Sequence, residues 1–365
     1  MQVSLAKRIA HAIMDPFDGW LLALLAGVFV LSMIALFSAS NQSWAKIDNK
    51  LVYTALSLLV MWLLARLSPQ TVMHMALPLY VAGVLLLVGV EVAGITVNGS
   101  TRWLNVGIGR IQPSEIMKIA VPMMLAWYFQ KYETTLNWRH YVVAAILIVI
   151  PGLLILKQPD LGTATLVMGA GFFALFFAGL PWKIIIGGAV AFLASLPVVW
   201  NLMHDYQRKR VLTLIDPMQD PLGDGYHIIQ SMIAIGSGGV WGKGWLAGSQ
   251  THLDYIPERT TDFIFAVYSE EFGLAGNLLL LALYLGIISR CLLITARAPT
   301  LYGRLLAGAI TLSFFVYVFV NMGMVSGILP VVGVPLPFMS YGGTATVSLA
   351  IGLGMLMGIG KLQRR

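Results

Sequence analysis

Ten apolar runs divide the chain, near residues 20–38, 51–65, 73–93, 115–129, 141–156, 163–180, 184–201, 263–288, 305–326 and 343–360. A helix needs about 20 apolar residues to cross a bilayer. Runs this frequent predict an all-α polytopic membrane protein of about ten transmembrane helices, organised as one membrane domain over residues 1–365. Several runs are shorter than a full crossing, so their ends are soft. Composition agrees: 58% of residues are hydrophobic and 11% charged, where a soluble domain carries about a quarter charged. A soluble enzyme, a disordered chain and a fibrous protein are excluded. The first run is too long for a signal-peptide core and is read as a retained helix. The single cysteine, Cys291, excludes a disulfide framework and any cysteine-based zinc or iron–sulfur site.

Ten spans place both termini on one side, and basic residues identify that side. Lys7, Arg8, Arg66, Lys131, Arg139, Lys183, Arg290, Arg297, Arg304, Lys361, Arg364 and Arg365 fall on the termini face, against only Asp15, Asp18 and Glu133. Cytoplasmic loops carry such an excess, so both termini are expected in the cytoplasm. The one long connection, about 202–262, then lies outside. Within it, Tyr226–Ile235 is apolar but too short to span, and reads as a re-entrant or interfacial helix. The apolar segment Gly327–Thr344 contains Pro330, Pro335 and Pro337 and cannot be a regular helix. Irregular backbone at membrane depth survives only against protein or a wet cavity. This segment is expected to pack on the long loop and wall an external cavity.

Nucleotide and metal signatures are absent: no G-x-x-x-x-G-K-[ST], H-E-x-x-H or Cys–His set occurs. Charges at span ends say more, because they need partners or water. Glu115 and Lys118 open the fourth span on one helix face, Lys157 and Asp160 precede the sixth, and Arg102 and Arg110 flank Trp103 before the fourth. All six fall outside, as structural ion pairs or as a site. Asp262 ends the long loop, with Thr260 or Thr261 placed to cap the next helix and Asp262 in its first turn. Such a carboxylate can simply complement the helix dipole. It can also be a base, facing a phosphate or pyrophosphate held by Arg102, Lys118, Arg208 and Arg210. Glu270 and Glu271 lie two turns into the eighth span and need cations or protonation. His227 reads as a hydrogen-bonded structural histidine.

Several long stretches, in order, resemble one known family. They are RWLNVGIGRIQPSEIMKIA (102–120), KQPDLGTA (157–164), YQRKRV (206–211), DPLGDGYHIIQSMIAIGSGG (220–239), GKGW (242–245), PERTTDFIFAV (257–267) and GMVSGILPVVGVPLPFMSYGG (323–343). The chain resembles the SEDS (shape, elongation, division, sporulation) proteins, and within them the elongation member. The resemblance implies a ten-helix peptidoglycan glycosyltransferase of the bacterial cytoplasmic (inner) membrane. Such an enzyme polymerises lipid II on the outer face during cell elongation. It places the family's essential aspartate on Asp262 and its characteristic charged positions on Arg102, Arg110, Glu115, Lys118, Asp160, Arg208, Arg210 and Glu258. Implied partners are lipid II, the nascent glycan strand, a class B penicillin-binding protein (a transpeptidase) and membrane proteins of the elongation complex; no nucleic acid is expected.

The chemistry is consistent with one carboxylate. Glycoside hydrolysis uses two, because an alkoxide leaving group needs a proton. A diphosphate leaving group needs charge neutralisation instead. The reading requires no cofactor, and a divalent cation (magnesium or manganese) is compatible with it. Two other classes remain open to the sequence: a lipid II flippase, and a non-catalytic scaffold for the transpeptidase.

Overall fold

The computed structural model describes residues 14–97, 100–105, 107, 110–203, 205–219, 223–253, 255–256 and 258–362. Each apolar run becomes a helix. In chain order these are α1 (Gly19–Ala39), α2 (Trp44–Arg66), α3 (Pro69–Ala93), α4 (Pro113–Lys131), α5 (Trp138–Lys157), α6 (Leu161–Phe177) and α7 (Trp182–Leu202). The long connection carries α8 (Asp205–Ile215), α9 (Asp224–Ser237) and the single turn α10 (Ser249–His252); α11 (Ile264–Arg297), α12 (Leu301–Val325) and α13 (Gly343–Lys361) complete the set. Seven helices are long and apolar enough to cross a membrane by length and composition. The chain is therefore a multi-pass membrane protein. Among the rest, α4 carries Glu115, Lys118 and Lys131, and α6 has 17 residues.

The helix expected over Tyr226–Ile235 forms as α9. The expected second span lengthens: α2 starts at Trp44, seven residues before the apolar run, because Lys50 is satisfied within the fold. Its Nζ donates to the carbonyls of Phe338 (3.0 Å), Met339 (3.5 Å) and Ser340 (2.6 Å). A buried ammonium with three acceptors needs no water.

Packing places four helices around one polar end. α4 lies against α3, α6 and α12, while α13 runs along α2. A Cβ on Gly354 of α13 would sit 2.7 Å from the Met61 carbonyl of α2, the close approach that small residues permit between membrane helices. A short antiparallel sheet covers the same end. β1 (Ile95–Val97) pairs with β2 (Ser100–Asn105), and β2 with β3 (Arg110–Ile111).

α11 is broken at Gly273, whose φ of 63° and ψ of −160° are not helical. The loop after α9 enters the break. Lys243 and Gly244 amides donate to the carbonyls of Glu270 and Glu271, both at 3.0 Å. Leu274 and Ala275 amides donate to the carbonyls of Gly239 (2.9 Å) and Val240 (3.0 Å). Backbone groups freed by the break are thus satisfied by protein, as apolar surroundings demand. Residues 274–297 alone are about 36 Å long at 1.5 Å per residue, enough to cross. The fit has no slack: Gly242 (φ 80°) would place a Cβ 2.1 Å from the Glu271 carbonyl. Gly242→Ala is expected to cost about 1–3 kcal/mol. A lowered unfolding midpoint in detergent checks this, and an unchanged midpoint contradicts it.

Candidate active site

The polar end encloses a cavity of about 640 Å³. Arg102 reaches it from β2, Gln112, Glu115 and Lys118 from the start of α4, Asp160 and Thr163 from α6, and Tyr317 from α12. Thr261 and Asp262 come from the turn before α11. Val332–Pro335 and Tyr341–Ala345 close the remaining wall. The proline-interrupted segment thus lines a cavity and packs on the long connection, as its sequence requires. The Tyr341 amide donates to the Thr260 carbonyl (2.8 Å) and the Ser340 hydroxyl to that of Thr261 (2.7 Å).

Each charge has a defined setting. Asp160 is the N-cap of α6: one oxygen accepts from the Thr163 amide at 3.0 Å, a common way to satisfy a helix start. Its other oxygen accepts from Arg102 at 3.3 Å and Gln112 at 3.2 Å. Asp160 therefore fixes the arginine at the cavity mouth. One turn into α4, Lys118 donates to Glu115 at 2.6 Å and lies 5.3 Å from the centre of the Tyr317 ring. Glu115 is held from behind by the Ser348 hydroxyl at 2.8 Å. An ammonium has three N–H donors, so Lys118 keeps donors to offer the cavity.

Asp262 differs from the other two acids. It has no ion pair within 4 Å among the described residues, and only its backbone is gripped, through Asn321 Nδ2 donating to its carbonyl at 2.8 Å. Burial pushes its carboxyl up to about 6, with the Glu258 charge adding to the rise and Arg102 opposing it. A carboxylate raised to near 6 is still mostly ionised at neutral pH and is a stronger base than an ordinary one.

The structure gathers five of the sequence-predicted residues here: Arg102, Glu115, Lys118, Asp160 and Asp262. Glu258 stands beside the site and accepts from the Thr261 hydroxyl at 2.8 Å. Others go elsewhere. Arg208 turns back on α7, donating to the carbonyls of Trp200 (2.9 Å) and Asn201 (2.7 Å); those carbonyls need donors at a helix end. Arg110 is exposed on β3 and does not line the cavity. The side chain of Arg210 lies outside the described residues. Asp262 is not in the first turn of its helix: α11 begins at Ile264 with Phe263 as N-cap and no side-chain cap. Lys157 pairs with Glu91 at 3.0 Å, not with Asp160. His227 stacks on Phe263 (5.5 Å between ring centres), and its buried Nδ1 has no hydrogen-bond partner among the described residues. Tyr317, Gln112, Ser348, Asn321 and Lys50 were invisible as site residues in the sequence. The one available signal was polarity inside apolar runs, as in VFVNMG around Asn321.

A divalent cation would find one uncommitted carboxylate, Asp262. Glu115 and Asp160 are occupied by their partners, and no group of three or more His, Cys, Asp or Glu is suited to hold a metal among the described residues. Such an ion would share the charge of a bound diphosphate, taking most of its ligands from phosphate and water.

Known proteins are similar to this chain over nearly its whole length. The model of the FtsW/RodA/SpoVE family of cell cycle proteins matches residues 17–365. The peptidoglycan glycosyltransferase MrdB of Escherichia coli (strain K12) is 50% identical over 343 residues, covering 94% of this chain and 93% of that protein. Stage V sporulation protein E of Bacillus subtilis (strain 168) is 34% identical over 357 residues, 92% of this chain and 95% of that one. Among solved structures, a chain of a peptidoglycan synthase complex that coordinates polymerization and crosslinking superposes with a TM-score of 0.83 at 34% identity, covering 96% of this chain and 99% of that one. The Rod shape determining protein RodA of Thermus thermophilus gives 0.72 at 29%, covering 96% and 98%. With a family model matching nearly the whole chain, relatives at 34–50% identity and the same fold, the chain belongs to the FtsW/RodA/SpoVE family.

Proposed function

We propose that this chain is a peptidoglycan glycosyltransferase that polymerises lipid II at the Asp262 cavity. The glycosyltransferase activity follows from relatives of that name at 50% and 34% identity over most of the chain. The observation that carries the site is one half-buried carboxylate, without an ion pair among the described residues, sharing a cavity with Arg102 and Lys118.

In this reading Asp262 is the general base. It takes the proton of the acceptor's GlcNAc 4-hydroxyl as that oxygen attacks the anomeric carbon of the growing strand's MurNAc. The bond from that carbon to the polyprenyl diphosphate breaks, and the anomeric centre inverts to a β-1,4 link. The departing charge is met by Arg102 and Lys118, already oriented by Asp160 and Glu115. Donors fixed before reaction need no reorganisation as charge develops. Burial, with the Glu258 charge beside it, keeps the Asp262 carboxyl basic, and a divalent cation on the diphosphate is compatible with this reading.

The positive face formed by Lys7, Arg8, Arg66 and Arg290 supports cytoplasmic termini. The cavity then opens outside, where nucleotide sugars are absent and the donor must carry its own activation. The crosslinking complex among the relatives supports a penicillin-binding protein as partner.

Purified protein with labelled lipid II in detergent tests the reading. Glycan polymer is expected with no membrane to cross, whereas a flippase or a scaffold yields none. The kcat/KM for polymerisation should rise with pH through about 6 and then level, because the base works deprotonated and this ratio reports the free enzyme. A flat profile from pH 5 to 8, or activity falling as pH rises through 6, contradicts the base.

A further inference from the structure

A second buried polar cluster lies outside the cavity, at the break in α11. The Glu270 side chain is fully buried and carries five donors. Lys243 Nζ donates at 2.7 Å, Ser249 Oγ at 3.3 Å and the Gln250 amide at 3.0 Å to one oxygen. The Thr251 amide (3.3 Å) and hydroxyl (3.0 Å) donate to the other. A buried carboxylate persists only when paired and hydrogen-bonded to this degree. The cluster also leads somewhere. The Thr251 carbonyl accepts from the Arg259 guanidinium, and Arg259 belongs to the turn that carries Asp262. Within that turn the Thr261 and Phe263 amides both donate to the Glu258 carbonyl, at 3.0 and 3.3 Å. Ser340, Tyr341 and Asn321 also hold the turn, through the carbonyls of Thr261, Thr260 and Asp262. The remaining hold comes from Arg259 and, through Thr251, from Glu270.

We propose that Glu270 is a positioning residue for Asp262, acting through Thr251 and Arg259 to fix the turn that aims the carboxylate into the cavity. The proposal rests on the reading of Asp262 as the base. A misplacement of about 1 Å at a reacting group can cost a hundredfold in rate, and a turn outside any helix has no ladder of its own to prevent it. Thr251, completely buried, is the link that can be loosened with least disturbance, since valine keeps its shape and its backbone bonds to Glu270 and Arg259 and removes only the hydroxyl bond to Glu270.

The experiment compares full-length wild type, Thr251→Val, Thr251→Ser and Glu270→Gln in detergent. Hydrogen exchange of residues 258–263 is followed alongside polymerisation kinetics with lipid II. Thr251→Val should speed exchange in 258–263 while leaving α12 and α13 unchanged. Its kcat should fall about tenfold or more with KM within about twofold. Thr251→Ser should restore both, and Glu270→Gln should exceed the valine effect. Wild-type exchange and kcat in Thr251→Val overturn the proposal. So does a raised KM at unchanged kcat, or exchange that rises throughout the molecule, which marks a role in stability alone. If wild type makes no glycan, the reading of the site fails, and local exchange still decides whether Glu270 holds the turn.

Discussion

Asp262→Asn should abolish polymerisation while leaving the protein folded. A positioned base contributes about 10²–10⁴ in rate, and no second carboxylate in the cavity can replace it. Glu115 is held by Lys118 and Ser348, and Asp160 by Arg102, Gln112 and the start of α6. Both acids would have to abandon cations to accept a proton. Asparagine is isosteric and keeps the Asn321 contact, which uses the backbone carbonyl. The unfolding midpoint should therefore stay the same or rise slightly, since a carboxylate kept from water is costly. Loss confined to kcat is the expected signature. Normal turnover in a folded Asp262→Asn protein removes the residue from the chemistry.

The second large effect is at Lys118, and it separates two roles that one substitution confounds. Lys118→Met removes a cation from the cavity and also leaves Glu115 without its 2.6 Å partner. Removing one preorganised charge donor typically costs about 10²–10³ in rate. Leaving a buried carboxylate unpaired costs about 3–5 kcal/mol of stability; because Glu115 is only partly buried and its Ser348 contact survives, the lower end applies here. Glu115→Gln combined with Lys118→Met should recover most of the unfolding midpoint and none of the turnover. If the double variant regains activity, Lys118 serves only to neutralise Glu115. If the single variant turns over normally, the diphosphate is met by other groups.

Much of this architecture is legible in the residues before any coordinate is seen. Hydropathy finds the ten long helices among the described residues, because a run of apolar side chains is a signal that needs no tertiary context. Three prolines announce the irregular wall between α12 and α13 for the same local reason. What the sequence does not carry is convergence. Arg102, Asp160 and Gln112 meet only once a sheet strand, a helix cap and the start of α4 are brought together. Arg208 has the same charge and a similar loop setting, yet it is drawn to the carbonyls ending α7. The break at Gly273 is equally non-local, since it depends on a glycine-rich loop some thirty residues earlier entering the helix. Asp262 was expected in the first turn of α11. The carbonyls of residues 260–262 are taken instead by Tyr341, Ser340 and Asn321, so the helix starts later and the carboxylate stands free of it. Lys50 carries no such signal, because it precedes an apolar run, where a lysine ordinarily reaches water.

The most direct measurement is a structure of the Asp262→Asn protein with a lipid-linked diphosphate donor and a disaccharide acceptor bound. The acceptor 4-hydroxyl should lie within about 3.2 Å of the residue 262 side chain, with diphosphate oxygens on Arg102 and Lys118. A diphosphate bound away from both cations, or an acceptor hydroxyl directed to a different acid, would contradict the assignment of this cavity as the place where glycan strands grow.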